Sequence, residues 1–371
     1  MRVGIDAHCL GKKKTGNETY TFTLIKYLSG MQRNGVEYTV YLGGEMPDQD
    51  ELFSNGSFRS KQIWPLNPFI RISIGFAIQS RVEELDVFHA QYLLPYGLKC
   101  RTVLTVHDVL YERYPQYFTK MDTYRHKIEV PRSCRRADHI ITVSESSKRD
   151  LVDFYGLDAD RITVTYLGPD SSYRPIQKSE AKKRLKEKYG IEGDFILYVG
   201  AIQPRKNIPR LLSAFAQLKG ARNLSHKLLI VGPKAWLASE AFRALENNES
   251  RKDIHVTGYV PQEDLPYFYN SADLFVYASM CEGFGLPVVE AMACGTPTIT
   301  SRGSSLEEIA GGAAVLIDPS STDDIAHAIA EVLQDSALQA QLRESGLSRS
   351  RVFSCQKMAV QTKTIYEHLV G

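Results

Sequence analysis

The chain has 371 residues, 43% apolar and 24% charged, and its 45 Lys+Arg against 43 Asp+Glu leave a formal net charge of +2. That mixture excludes a disordered chain, and the near-neutral balance argues against a protein built to coat nucleic acid. The length predicts two or three domains, each large enough for its own core.

Six cysteines, Cys9, Cys100, Cys134, Cys281, Cys294 and Cys355, contain no Cys-x-x-Cys pair. A zinc site therefore lacks a framework, and a reducing compartment is expected. The start, Met1-Arg2-Val3-Gly4-Ile5-Asp6, reaches an acid too soon for a signal-peptide core. The longest apolar run, from Phe195 to Ile202, falls far short of the ~18 residues of a membrane span. The expected location is the cytoplasm, including the inner face of a membrane.

Taken in chain order, short Val/Ile/Leu-rich runs predict strands at 2–5, 38–42, 87–90, 102–106, 139–143 and 162–164, then at 195–199, 227–231, 254–257, 274–277, 298–301 and 314–317. They show little alternation, as parallel strands buried on both faces do. Helical stretches separate them. One is predicted at 144–155 with Ser144 as its cap and Gly156 as its stop, another at 208–219 with Gly220 as its stop. Strand–helix–strand order repeated in this way predicts an α/β protein with two Rossmann-like, doubly wound parallel-sheet domains facing a cleft. The proline and small polar residues of 168–180 mark the boundary, giving domains at 1–170 and 171–354 with a last helix over 355–371. The basic run Lys182, Lys183, Arg184, Lys186 and Lys188 that follows reads as a solvated helix face.

Ligands of such sheets bind beyond the carboxyl ends of the strands, so the loops there hold the candidate chemistry. Directly after the strand at 274–277 comes Cys281-Glu282-Gly283-Phe284-Gly285-Leu286-Pro287, opening a helix with Pro287 near its first position and Gly295 as its stop. Gly283 and Gly285 let backbone N–H groups approach a ligand, and the helix N-terminus favours an anion such as phosphate. Glu282 and Glu290 stand eight positions apart, so both can face one ligand and accept hydrogen bonds from sugar hydroxyls. The alternative is a glycine-bent turn with two solvated acids. After the strand at 195–199, Gly200-Ala201-Ile202-Gln203-Pro204-Arg205-Lys206-Asn207 sets a forked donor beside a point charge, a pair suited to a diphosphate. Basic residues at a helix start oppose its dipole, so Arg205 and Lys206 call for a compensating anion.

In the first half, Gly11-Lys12-Lys13-Lys14-Thr15-Gly16-Asn17 matches neither a dinucleotide fingerprint nor a P-loop, which removes the main support for a dehydrogenase or an NTPase. Its lysines read as a solvated loop. His107-Asp108 follows a strand, where a histidine can bond a substrate hydroxyl or move a proton. His89 occupies a similar place but reads as a satisfied structural residue. The triplets Asp48-Gln49-Asp50 and Asp158-Ala159-Asp160 lie in turn-like stretches and are rejected as metal sites. Arg125, Lys127, Arg132, Arg135 and Arg136 read as a solvated face, with anionic lipid or an acidic acceptor as the alternative; the run 69–78 reads mostly as core.

These segments, with Gly4-Ile5-Asp6, Thr105-Val106-His107-Asp108, Ile141-Thr142-Val143-Ser144-Glu145-Ser146, Tyr198-Val199-Gly200, Gly258-Tyr259-Val260 and Gly295-Thr296-Pro297, resemble in order the retaining glycosyltransferases of family four, which have the GT-B fold. The resemblance covers nearly the whole chain and implies hexosyl transfer from a nucleotide-diphosphate sugar, of GDP-mannose or UDP-glucose type, to a saccharide or lipid-linked saccharide, with no metal or other cofactor. It implies that Arg205 and Lys206 hold the donor diphosphate and Glu290 the ribose. Glu282 and the backbone of Gly283, Phe284, Gly285 and Leu286 would hold the sugar and its phosphate. His107 would contact the sugar, Val260 would lie near the base, and Gly16 and Gly200 would border the donor. The family's last helix crosses back to the first domain. Where relatives carry a basic residue in the first loop, this chain has Glu18, so no basic phosphate contact is carried there. A nucleotide-sugar epimerase and a non-catalytic nucleotide-sugar-binding protein of the same fold are the rival readings.

Overall fold

The structure, a computed structural model, describes residues 1–11, 16–31, 35–44, 58–63, 75–222, 224–235 and 237–371. The lysines at 12–14, the triplet Asp48-Gln49-Asp50 and most of the run 69–78 lie outside the described residues. The chain divides into two compact units, Met1–Leu167 with Ser354–Gly371, and Gly168–Phe353.

In the first unit the apolar runs become a parallel sheet of β1 (Arg2–Ala7), β2 (Glu37–Leu42), β3 (Phe58–Gln62), β4 (Val87–Gln91), β5 (Arg101–Thr105), β6 (His139–Thr142) and β7 (Ile162–Val164), ordered β3-β2-β1-β4-β5-β6-β7. Both faces are covered. Val87 and Val103 pack into one cluster with Val3, Ile5 and Leu24, while their neighbours Phe88 and Leu104 pack into another with Tyr41 and Phe76. Burial on both sides is why these strands lack a polar alternation. Ser144 caps the helix Glu145–Tyr155 by accepting from the Ser147 N–H, and Gly156 ends it in the left-handed region.

β3 was not predicted. Its sequence, Phe-Arg-Ser-Lys-Gln, is polar, because an edge strand presents little surface to the core and charge there discourages pairing with other chains. Only Phe58 is buried, stacked on Tyr38 with centroids 4.6 Å apart. Gly220 does not stop its helix, which runs over Ile208–Arg222. A glycine inside a helix costs about 1 kcal/mol against alanine, and packing of the Leu211, Leu212 and Phe215 face outweighs it.

The second unit holds β8 (Phe195–Val199), β9 (Lys227–Val231), β10 (Ile254–Gly258), β11 (Leu274–Tyr277), β12 (Thr298–Ser301) and β13 (Val315–Ile317) in a parallel sheet ordered β10-β9-β8-β11-β12-β13. The basic helix Lys178–Tyr189 is a solvated, ion-paired face: Lys182 meets Asp194 at 2.7 Å and Lys186 meets Glu192 at 2.9 Å. The last helix, Cys355–Val370, belongs to the first unit, where it packs on the helix Gly16–Ser29 and on β4 and β5. Among the described residues no helix is long and apolar enough to cross a membrane.

Candidate active site

Strand order in the second sheet reverses between β8 and β11, so the loops leaving these neighbouring strands diverge and open a crevice at their carboxyl ends. Both segments singled out by sequence occupy that point. The loop after β8 forms a short turn over Pro204–Lys206, and the loop after β11 leads into the helix Leu286–Ala293. They are tied together. The Met280 N–H donates to the Arg205 carbonyl at 2.8 Å, and Asn207, held in the left-handed region at φ 61°, donates from Nδ2 to the Ala278 carbonyl at 3.0 Å. Ser305 Oγ donates to the Glu282 carbonyl at 2.7 Å and braces the glycine turn from the other side.

Glu282 sits between the two cations. Its Oε1 accepts from Lys206 Nζ at 2.5 Å and from the Tyr277 hydroxyl at 3.2 Å, and its Oε2 accepts from Arg205 Nη1. Lys206 Nζ also donates to the Tyr277 hydroxyl and lies 4.8 Å from that ring's centroid. The anion that the sequence demanded for Arg205 and Lys206 is, in this structure, Glu282 itself. Burial pushes the Glu282 carboxyl up, but Arg205 and Lys206 outweigh it and hold it at about 2. Two cations against one carboxylate leave positive charge in excess at the crevice.

Glu290 belongs to a separate cluster. Its Oε2 accepts from the Tyr269 hydroxyl at 2.8 Å, and burial pushes its carboxyl up to about 7 against the hydroxyls of Tyr269 and Tyr173. The two acids are both buried, so neither is the solvated acid of the alternative reading. Among the described residues they share no hydrogen-bonding partner.

Backbone freedom shapes the turn. Gly285 caps the helix at φ 101°, and a Cβ there would meet Leu306 Cδ2 at 2.3 Å. Gly200 follows β8, and Gly232, after β9, presses so close that its Cβ would lie 2.1 Å from the Gly200 carbonyl oxygen. At the same edge a cavity of about 450 Å³ is lined by Ile202, Gly232, Lys234, Phe242, Arg251 and Gly258 among others. Val260, two residues beyond Gly258, is buried.

In the first unit His107 follows β5. Its Nε2 meets Gln91 Oε1 at 3.0 Å, and burial pulls its imidazole down to about 4, so it is neutral near pH 7. Tyr20 stands edge-on to its ring at 4.7 Å. His89 is the satisfied structural residue expected, with Nδ1 on the Tyr366 hydroxyl at 2.6 Å and Nε2 on Thr105 Oγ1 at 2.7 Å. Gly16 begins its helix and is exposed. Glu18 is buried and accepts from the Gly11 N–H at 2.8 Å. Asp158 caps a turn by accepting from the Asp160 N–H at 3.0 Å. Among the described residues no group of three or more His, Cys, Asp or Glu is placed to hold a metal ion.

Sequence reading missed Tyr277, Tyr269, Tyr173, Gln91 and Ser305. An aromatic closing a strand just before the glycine turn was a usable signal for Tyr277. Nothing in the spacing points to Tyr269, which reaches Glu290 from a different helix.

Comparison with known proteins agrees with this geometry. Residues 181–349 match the family model of glycosyl transferases group 1, and residues 15–173 match that of glycosyltransferase family 4. The chain is 34% identical over 285 residues to the O-antigen chain mannosyltransferase B of Escherichia coli, covering 76% of this chain and 74% of that protein. It is 27% identical to the O-antigen chain mannosyltransferase RfbU of Salmonella typhimurium, covering 84% and 85%. Among solved structures, a sucrose-phosphate synthase of Thermosynechococcus elongatus superposes with a TM-score of 0.82 at 20% identity over 100% of this chain and 99% of that one. HepE of Anabaena, solved with UDP and glucose, gives 0.78 at 18% over 99% and 100%.

Proposed function

The chain belongs to glycosyltransferase family 4 and is a hexosyltransferase, and we propose that it moves mannose from a nucleotide-diphosphate donor to a saccharide or lipid-linked saccharide in the synthesis of a bacterial surface polysaccharide. Mannose is favoured over glucose because the O-antigen relatives are named mannosyltransferases. The observation that carries the donor site is the pair of half-buried Arg205 and buried Lys206 facing Glu282 and the Gly283–Gly285 turn at the strand reversal.

In this reading the donor's diphosphate lies against Arg205, Lys206 and the N-terminus of the helix Leu286–Ala293, which together offset the charge that builds on the leaving group. These cations do the work a metal would otherwise do, so none is required. Glu282 accepts from a sugar hydroxyl, Glu290 accepts from the ribose diol, and the cavity bordered by Gly258 receives the base near Val260. His107, neutral, bonds a sugar hydroxyl. The reaction is retention by attack on the face that the diphosphate leaves. The acceptor oxygen bonds to the anomeric carbon, the carbon–oxygen bond to phosphate breaks, and the departing phosphate takes the acceptor's proton. No second carboxylate is then needed as a nucleophile. An anionic membrane face would be met by the helix Lys120–Arg136, where Met121 and Tyr124 are exposed beside Arg125.

The test is a calorimetric and thermal-shift screen against UDP, GDP, ADP and their sugars, with and without EDTA, followed by turnover of the Arg205→Ala, Lys206→Ala double variant. A selective, EDTA-insensitive response to GDP-mannose and a loss of turnover by orders of magnitude are expected. Near-normal turnover in the double variant would sink the donor-site assignment. Binding without turnover would favour the non-catalytic reading.

A further inference from the structure

Two tyrosines outside both loops converge on Glu290. Tyr269, on the helix Leu265–Ser271, is fully buried and donates to Glu290 Oε2 at 2.8 Å. Its position is fixed twice over. Thr296 Oγ1 donates to its carbonyl at 2.8 Å, and its ring stands edge-on to Phe275 with centroids 5.4 Å apart. Tyr173 is buried with its ring edge-on to Tyr269 at 5.9 Å and its hydroxyl beside the same carboxylate. Its segment is pinned to the Tyr269 helix, since the Ile176 N–H donates to Asn270 Oδ1 at 2.7 Å and Asn270 Nδ2 donates to the Arg174 carbonyl at 3.0 Å.

We infer that Tyr269 and Tyr173 are positioning residues for Glu290, aiming its carboxylate at the donor's ribose diol and deciding over which pH range the donor binds. The inference rests on the ribose role proposed for Glu290 above. A carboxyl accepts most strongly from both hydroxyls of a diol when ionised, with an acceptor on each oxygen, and burial opposes ionisation. No salt bridge to Glu290 occurs among the described residues. The titratable groups that face it are Tyr269 from its helix, Tyr173 from the segment before the helix Lys178–Tyr189, and Cys294 from the end of its own helix. Burial pushes the Cys294 thiol up, so it stays uncharged. The Tyr269 hydrogen bond, with the Tyr173 hydroxyl adjacent to it, is therefore what holds Glu290 within reach of ionisation near neutral pH.

The test is calorimetric titration of the full chain with GDP-mannose, or UDP-glucose if the screen selects it, without acceptor, from pH 5.5 to 9. The diphosphate of a nucleotide sugar is a diester with no proton to lose in that range, so the profile reports the protein, in which Lys206, pulled down to about 8 by burial, adds a fall in affinity above pH 8 common to wild type and every variant below. Wild-type affinity should rise about tenfold through a midpoint near 7. Tyr269→Phe should move the midpoint up by about one pH unit, with affinity about threefold weaker at pH 7 and converging on wild type at pH 9. Tyr173→Phe should shift it the same way by less, and it carries the test alone if Tyr269→Phe does not fold. Glu290→Gln should bind weakly with no rise through 7. A midpoint unmoved in both tyrosine variants, or a loss equal at every pH, overturns the positioning role and leaves the ribose role standing. A rise through 7 retained in Glu290→Gln overturns the ribose role itself, and a wild-type profile without that rise overturns the inference.

Discussion

Lys206 and Glu282 share a buried ion pair, Nζ to Oε1 at 2.5 Å, although they stand on loops leaving different strands of the sheet. The pair joins the loop after β8 to the loop after β11, and Arg205 closes the same carboxylate from its other oxygen. The arrangement is therefore part of the fold before it is part of any reaction.

Removing the carboxylate should expose this structural share. Burial of Lys206 beside the half-buried Arg205 is tolerated because Glu282 compensates them, and breaking a buried pair by removing one partner costs about 3–5 kcal/mol. Glu282→Gln should lower stability by about 3 kcal/mol at pH 7, measured by chemical unfolding. Because the folded carboxyl is held down at about 2, its contribution is complete above the ordinary carboxylate range and is lost as pH falls toward 2. The gap between wild type and variant should close over the same interval. A constant gap down to pH 3 would count against the pair as its source.

Glu290 gives the opposite sign. Its carboxyl is pushed up to about 7 by burial, so the fold favours the protonated form, and that preference is lost as pH rises from the ordinary carboxylate value through 7. Glu290→Gln should therefore melt higher than wild type at pH 8, and no higher at pH 4.5. Equal melting temperatures at pH 8 would show that the buried carboxylate carries no such cost. A residue that weakens the folded state where the enzyme works is retained for what it binds, which is the behaviour of a functional carboxylate.

Much of this was legible from residues alone, for identifiable reasons. Strands buried on both faces announce themselves as unbroken apolar runs, so twelve of the strands were placed within one or two residues of their ends. β3 was missed because an edge strand with a single buried residue carries no such signal. The Gly283–Leu286 turn and Arg205–Lys206 stood out because glycines and paired bases at strand ends have few structural uses. What closes around them was not legible. Tyr269 approaches Glu290, and Gln91 approaches His107, through packing between elements that no local spacing encodes.

Gly285 tests the turn separately from its charges. At φ 101° an L side chain is strained, and its Cβ would strike Leu306 Cδ2 at 2.3 Å. Leu306 is fully buried, so it has little room to yield. Gly285→Ala should lower stability by about 1–3 kcal/mol and cut donor affinity, because the N–H groups at the helix start move with the turn. Gly303→Ala, also at positive φ but with open space around its Cβ, is the control. It should cost stability through strain alone and leave donor affinity in place. Equal affinity losses in the two would remove the turn from the donor site.

The tie between His89 and Tyr366 tests how the last helix is held. His89 lies on β4 and Tyr366 on the helix Cys355–Val370, both are buried, and Nδ1 meets the hydroxyl at 2.6 Å while Thr105 Oγ1 takes Nε2. Burial, with His107 adding to it, pulls the His89 imidazole down to about 3, so it is neutral in the fold and has one donor and one acceptor nitrogen. Both are used. Tyr366→Phe leaves one nitrogen without a partner and should cost about 1–3 kcal/mol, read as faster amide exchange over 355–370 before the rest of the first unit. The pH dependence supplies an independent check. A histidine whose folded value is depressed stabilises the fold fully above 6.5, and that stability is lost as pH falls toward 3. His89→Gln, which cannot take up a proton, should lose less stability between pH 6.5 and 4 than wild type does, and an equal loss in both would place the acid sensitivity elsewhere.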